Sequence, residues 1–138
     1  MNELFLDTSF SIGLVSPRDQ IHEKAINWAR KIEESKIPII TTQAVLLEIG
    51  NALSKFSFRQ VGIGLLKNFE NDPDTTIVSL TDELYQKAFE LFSNRPDKEW
   101  GLVDCISFVV MQERSIEAAL TADEHFSQAG FRALLREE

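Results

Sequence analysis

Short apolar runs alternate with stretches of helical periodicity along this chain, and no other feature restricts its fold as much. Leu4-Phe5-Leu6, Pro38-Ile39-Ile40-Thr41, Thr76 to Leu80 and Ala118 to Thr121 are too short for buried helices and read as strands; the third adds a strong β-branched content. Phe131 to Leu135 predicts a last edge strand. Residues 21–34 put Ile21, Ala25, Trp28, Ala29 and Ile32 at helical spacing. Residues 43–56 do the same with Ala44, Leu47, Ala52 and Leu53 behind a Thr42 cap. Further helices are expected over 60–70 and, behind a Thr81 cap, over 82–93, with a polar loop from Asn94 to Gly101. Residues 102–113 are apolar almost all round, as suits a helix buried between a sheet and other helices, and a short helix over 123–129 ends at Gly130. Strands that alternate with helices favour a parallel α/β sheet covered on both faces, a three-layer α/β/α fold. The 138 residues suit one domain, 1–138, able to bury a full core without disulfides or structural zinc.

In such sheets, ligands bind beyond the carboxyl ends of the strands. Two strands here end in an acid, Leu4-Phe5-Leu6 in Asp7 and Ala118 to Thr121 in Asp123. If those strands are neighbours, both carboxylates face one crevice. Glu48 follows Val45, Leu46 and Leu47, with Asn51 one helical turn on, and Asp104 opens the most apolar segment of the chain. Carboxylates in apolar surroundings are costly unless paired or bound to metal, and four together raise one another's pKa. A hard cation relieves both, and oxygen-only ligands select Mg²⁺ or Mn²⁺ over zinc or copper. Each acid alone also has a structural role open to it. Asp7 suits a turn through Thr8 and Ser9, Asp104 the first turn of its helix, and Asp123 a cap on the last helix. Glu48, amid apolar neighbours, has none. Only the four together favour chemistry.

The formal net charge of −8 argues against a broad nucleic-acid-binding face. Two divalent cations would halve it, leaving room for a small basic footprint. A single cysteine, Cys105, precludes an intrachain disulfide; with no basic leader before Leu4, it points to a reducing cytoplasm. No apolar stretch approaches the ~20 residues that span a bilayer, so no membrane association is expected.

The four acids, in their order and spacing, resemble the motifs of PIN domains. Leu4-Phe5-Leu6-Asp7-Thr8-Ser9 is similar to the opening strand of that family, Leu47-Glu48-Ile49-Gly50-Asn51-Ala52-Leu53 to its second motif, and Gly101-Leu102-Val103-Asp104-Cys105-Ile106-Ser107 to its third. Leu120-Thr121-Ala122-Asp123-Glu124-His125-Phe126, continuing to Phe131, resembles the fourth and is the most specific. The length resembles that of the stand-alone VapC-type toxins of toxin–antitoxin pairs. The resemblance implies a sheet of four or five parallel strands, Mg²⁺ or Mn²⁺ dependence, endonucleolytic cleavage of RNA, a homodimer, and neutralisation by a small antitoxin. Residue by residue, it gives Asp7, Glu48, Asp104 and Asp123 the metal-binding and catalytic roles, with Thr8, Ser9, Asn51 and Thr121 as supporting polar residues. The presence of the fourth acid, Asp123, implies an active enzyme.

Lys55 and Arg59, after the helix of Glu48, and Arg95 and Lys98, before Asp104, are the candidates for the basic footprint; Trp100 is a candidate for stacking on an unpaired base, burial being the equal alternative. Cys105 reads as a buried, inert thiol, and His125 as a residue that fixes the last helix. Two competing functions share the fold: a nuclease on DNA or structured RNA outside a toxin–antitoxin pair, and a catalytically silent RNA-binding domain. A phosphorelay receiver would need an acidic pair near the first strand and a late lysine, and the chain has neither.

Overall fold

The computed structural model describes residues 2–138. Five strands and seven helices follow in the order β1 (Leu4–Leu6), α1 (Thr8–Val15), α2 (His22–Ser35), β2 (Ile39–Thr42), α3 (Gln43–Ala52), α4 (Arg59–Asn71), β3 (Thr75–Val78), α5 (Asp82–Asn94), α6 (Leu102–Glu113), β4 (Ala118–Leu120), α7 (Glu124–Gln128) and β5 (Arg132–Ala133). The strands form one sheet in the order β3-β2-β1-β4-β5, every pair parallel. The fold is α/β around a five-stranded parallel sheet.

The strand order explains where a site must lie. From β1 the chain steps through β2 to β3, then returns to β4 and β5 on the other side of β1. Right-handed crossovers put the helices of these two halves on opposite faces, so the connections after β1 and β4 diverge and leave a crevice between them. Both strands are wholly buried, as their unbroken apolar runs require, with Phe5, Leu4, Leu6 and Leu120 inside. Phe108 of α6 packs edge-on against Trp100 at 5.0 Å and Phe126 at 4.9 Å between ring centroids, which anchors α6 and α7 to the same core.

Several expectations shift. Helix α1 is not visible in the hydrophobic pattern, because Thr8 to Val15 is apolar or small almost all round and buries Phe10, Ser11 and Gly13. A Cβ on Gly13 would lie 2.7 Å from the Ile21 side chain, so the glycine lets α2 approach α1 closely. Helix α3 ends at Ala52, short of the expected Phe56, with the Ser54 hydroxyl bonded to the Asn51 carbonyl beyond its end. Strand β3 stops at Val78, and the Leu80 N–H goes to the Gln43 side chain at 2.8 Å instead of a ladder. The last edge strand keeps only Arg132 and Ala133 of the expected 131–135. Leu134–Arg136 coil into a 3₁₀ turn that buries Leu134 and Leu135, and the Leu135 N–H reaches back to Thr121.

Candidate active site

All four acids line a single cavity of about 810 Å³ at the carboxyl edge of the sheet, together with Thr8, Ser9 and His125. Asp7 directly follows β1, and its N–H continues the β1–β4 ladder to the Leu120 carbonyl at 3.3 Å. The buried Thr41 hydroxyl donates to the Leu6 carbonyl at 2.9 Å, fixing the strand end one residue before it. Asp7 stands at the N-cap position of α1, yet its side chain caps nothing. Its Oδ2 accepts the Thr121 hydroxyl at 2.7 Å. The Ser9 hydroxyl lies 3.3 Å from the same oxygen and 3.2 Å from Thr121 Oγ1, so its proton serves one or the other. Ser9 and Thr121 in turn accept the N–H groups of Ala122 and Asp123, both at 3.0 Å. Two hydroxyls therefore tie the end of β1 to the end of β4.

Asp104 and Asp123 each combine a structural contact with a place in the cavity. Asp104 Oδ2, in the first turn of α6, accepts the Gly101 N–H at 3.1 Å; Asp123 Oδ1 caps α7 by accepting the His125 N–H at 2.9 Å. The structural and chemical readings are not alternatives at these two positions.

Glu48 is placed otherwise than its apolar neighbours suggest. It is exposed on α3, as is Leu47 at 65%, so it occupies a solvent-facing stripe and carries no burial cost. Thr8 donates a hydrogen bond to its Oε1. Asn51 is exposed one turn further on and does not line the cavity; of the expected supporting residues Thr8 and Ser9 line it, and Thr121 acts from beneath through its bond to Asp7.

His125 was the residue most underrated from sequence. Its Nδ1 lies 3.0 Å from Asp104 Oδ2 and 3.4 Å from Asp123 Oδ1. These three side chains form a tight group, each offering an atom within 4.8 Å of the others, while Asp7 and Glu48 line the same cavity outside it. The adjacent Asp-x-His spacing was its only signal.

Burial drives the electrostatics. It pushes the Asp7 carboxyl up to about 6, against the hydrogen bonds from Thr121 and the Thr8 backbone and with the help of the Asp104 and Glu48 charges. Burial also raises Asp104, offset by its bonds to His125 and Gly101. For His125, burial works downward, but the bond to Asp104 and the charges of Asp123, Asp104 and Glu124 win and raise it. Burial thus makes negative charge more costly where the acids converge than it would be in water. A divalent cation fits this site: the carboxylates of Asp104 and Asp123 lie within mutual reach beside the Asp7 carboxyl, and a positive charge there would offset the burial that opposes ionisation of Asp7.

The remaining candidates fall away from the cavity. Trp100 is buried, with its indole N–H bonded to Gln128 at 3.1 Å, so it belongs to the core and is not offered to a base. Arg95 is held by both oxygens of Asp97 at 3.0 Å, its guanidinium 5.0 Å over the Trp100 ring. Lys55, Arg59 and Lys98 do not line the cavity either. Cys105 is buried, and that burial pushes its thiol up to about 11, which makes it inert. The cavity wall instead includes Arg18, Asp19 and Gln20 from the α1–α2 connection, which no sequence motif singled out.

Comparison with known proteins bears on the family and the fold. Residues 4–132 match the family model described as PIN domain. The 23S rRNA-specific endonuclease VapC20 of Mycobacterium tuberculosis is 28% identical over 129 residues, which is 93% of this chain and 95% of that protein; the same figures hold for strains CDC 1551 / Oshkosh and H37Rv. The crystal structure of Mycobacterium tuberculosis VapC20, described as a Sarcin-Ricin loop cleaving toxin, superposes with a TM-score of 0.80 at 27% identity, covering 93% of this chain and 95% of that one.

Proposed function

This chain belongs to the PIN-domain family, and from that premise we propose that it is a metal-dependent endoribonuclease, the toxin of a toxin–antitoxin pair. The observation that carries the proposal is the convergence of Asp7, Glu48, Asp104 and Asp123 on one cavity where the strand order reverses. Residues 1–138 act as one domain. Asp7, Glu48, Asp104 and Asp123 would hold Mg²⁺ or Mn²⁺ through carboxylate oxygens, with His125 beside Asp104 and Asp123. When bound, such a cation supplies water activation and stabilises the charge that develops on the phosphodiester. The protein's own part is to keep the carboxylates in place. Thr121 and Ser9 orient Asp7, Thr8 orients Glu48, and His125 links Asp104 to Asp123. Large ribosomal RNA is the first substrate to try, because the curated relative is described as specific for 23S rRNA.

A small antitoxin and a second copy of this chain are the proposed protein partners. The lone buried cysteine suits a reducing cytoplasm, and among the described residues no helix is long and apolar enough to cross a membrane. The deciding experiment incubates purified protein with bacterial ribosomal RNA, with and without Mn²⁺ or Mg²⁺, and maps new ends. Discrete ends that need the metal and vanish in Asp7→Asn support the proposal; intact RNA at millimolar metal rejects it.

A further inference from the structure

The proposed substrate is a polyanion, yet nearly every charged side chain of the cavity is an acid. Arg18 is the one lining residue, among those described, that carries a permanent positive charge. It is exposed. Among the described residues it makes no ion pair, whereas Arg95 and Arg132 are each gripped by a carboxylate.

The backbone that presents it is built for the purpose. Ser16-Pro17-Arg18-Asp19 forms a tight turn closed by the Asp19 N–H on the Ser16 carbonyl at 3.0 Å, with Pro17 in the second position, where its fixed φ favours the turn. The neighbouring Asp19 makes no ion pair with Arg18; its Oδ1 instead accepts the Ile21 N–H at 3.0 Å. The Asp19 carbonyl accepts the His22 N–H at 3.1 Å, and the His22 ring nitrogen Nδ1 donates to the Gly13 carbonyl at 2.8 Å, which pins the turn to the last turn of α1. The guanidinium thus stands on a braced arm at the wall of the acidic cavity.

We propose that Arg18 grips a backbone phosphate of the RNA beside the one that is cleaved, supplying the cation that holds a polyanion against four carboxylates. This rests on the endoribonuclease reading above. A guanidinium suits the task because its forked donors match a phosphate, and one such contact fixes register without reading sequence.

The test compares the parent, Arg18→Gln and Arg18→Lys on a labelled RNA fragment that carries the cleavage site mapped with the parent. Arg18→Gln should raise KM about tenfold, the size of a lost charge-assisted hydrogen bond, with kcat little changed. The salt dependence of log(kcat/KM) should become shallower by about 0.7, the share of one phosphate on a single strand. Arg18→Lys should restore the slope. Mn²⁺ affinity, read by electron paramagnetic resonance, and melting temperature should match the parent in both variants. Parental KM and slope in Arg18→Gln would overturn the proposal while leaving the nuclease intact. Weaker Mn²⁺ binding or a lower melting temperature in that variant would also overturn it, by making Arg18 structural. A parent that binds Mn²⁺ but leaves RNA uncut removes the nuclease reading itself, and this proposal with it.

Discussion

Asp7 has the most to gain from losing its charge. Its carboxyl is raised by burial from 3.8 to about 6, so the folded state holds the proton more tightly than the unfolded chain does. The stability this contributes is fully present below pH 3.8 and is lost as the pH rises through 6. A shift of about two units amounts to roughly 3 kcal/mol across that window. In the presence of chelator, the parent should therefore lose stability between pH 4 and pH 7 relative to Asp7→Asn, and the variant should melt higher at pH 7. Equal pH profiles of denaturant unfolding would show that Asp7 carries no such burden. Ser11 offers a second residue-scale check, for its hydroxyl is wholly buried with no hydrogen-bond partner among the described residues. Ser11→Ala should stabilise the protein by about 1 kcal/mol, the desolvation cost of an unsatisfied hydroxyl; a destabilised variant would mean that the hydroxyl is used. At this scale the sequence was legible where an acid ended an apolar strand, as at Asp7 and Asp123. Glu48 was picked out for burial that it does not have, since contiguous apolar neighbours cannot tell which face of a helix they occupy. His125 and Arg18 were illegible as parts of the cavity, because a turn and a five-residue helix carry no periodicity to aim them.

Three of the helices at the cavity, α1, α6 and α7, carry an acid at or near their start, and the consequence differs between them. For α1 the acid is free of capping duty, so Asp7 can be neutralised without loosening the helix. For α6 and α7 the same carboxylates bond backbone N–H groups at 3.1 and 2.9 Å. Asp123→Ala should therefore lose about 1 kcal/mol of stability as well as its cleavage, while Asp123→Asn, which keeps an acceptor, loses cleavage alone. Urea unfolding beside an RNA assay separates the two variants; unchanged stability in Asp123→Ala would deny the cap. At the far end of α7, Gly130 takes φ +96° and a Cβ there would meet nothing within 4 Å. Gly130→Ala should cost about 1 kcal/mol of backbone strain and leave cleavage unaffected. Helices with one apolar face, α2 to α5, were readable from spacing. Helix α1 was not, since a segment buried all round by small and apolar residues shows no stripe. The last strand was misjudged in length because burial of Leu134 and Leu135 is satisfied equally by a 3₁₀ turn.

The whole molecule leaves two apolar faces in the open, and only one lies where the sequence placed a dimer contact. The resemblance to VapC-type toxins implies a homodimer, and the apolar content of the helices over 21–34 and 43–70 makes those stretches the sequence's candidates for its surface. Helix α2 contributes no large exposed apolar side chain, but the second stretch exposes Leu47, Phe56, Phe58, Val61 and Ile63, with Phe56 98% accessible. The other face is the α5 stripe of Tyr85, Phe89 and Phe92, the first two stacked at 6.4 Å. An accessible phenylalanine is costly in water, and the exposed apolar side chains at the end of α3, in the connection and at the start of α4 offer surface that a second copy would cover. The proposed homodimer should therefore form through the α3–α4 face. Phe56→Asp with Val61→Asp puts charge at its centre without disturbing a buried residue. This variant should run as a monomer in light scattering at tens of micromolar protein, an order-of-magnitude range in which a weak dimer still forms. Phe89→Asp with Phe92→Asp should keep the parental mass. The reverse outcome would move the interface to α5, and a parent that is itself monomeric would remove the dimer. Leu47 is the exposed sequence neighbour of Glu48, so a dimer through this face would bring the partner toward the rim of the acidic cavity. Loss of the dimer should then alter the affinity for RNA even though every carboxylate remains in place.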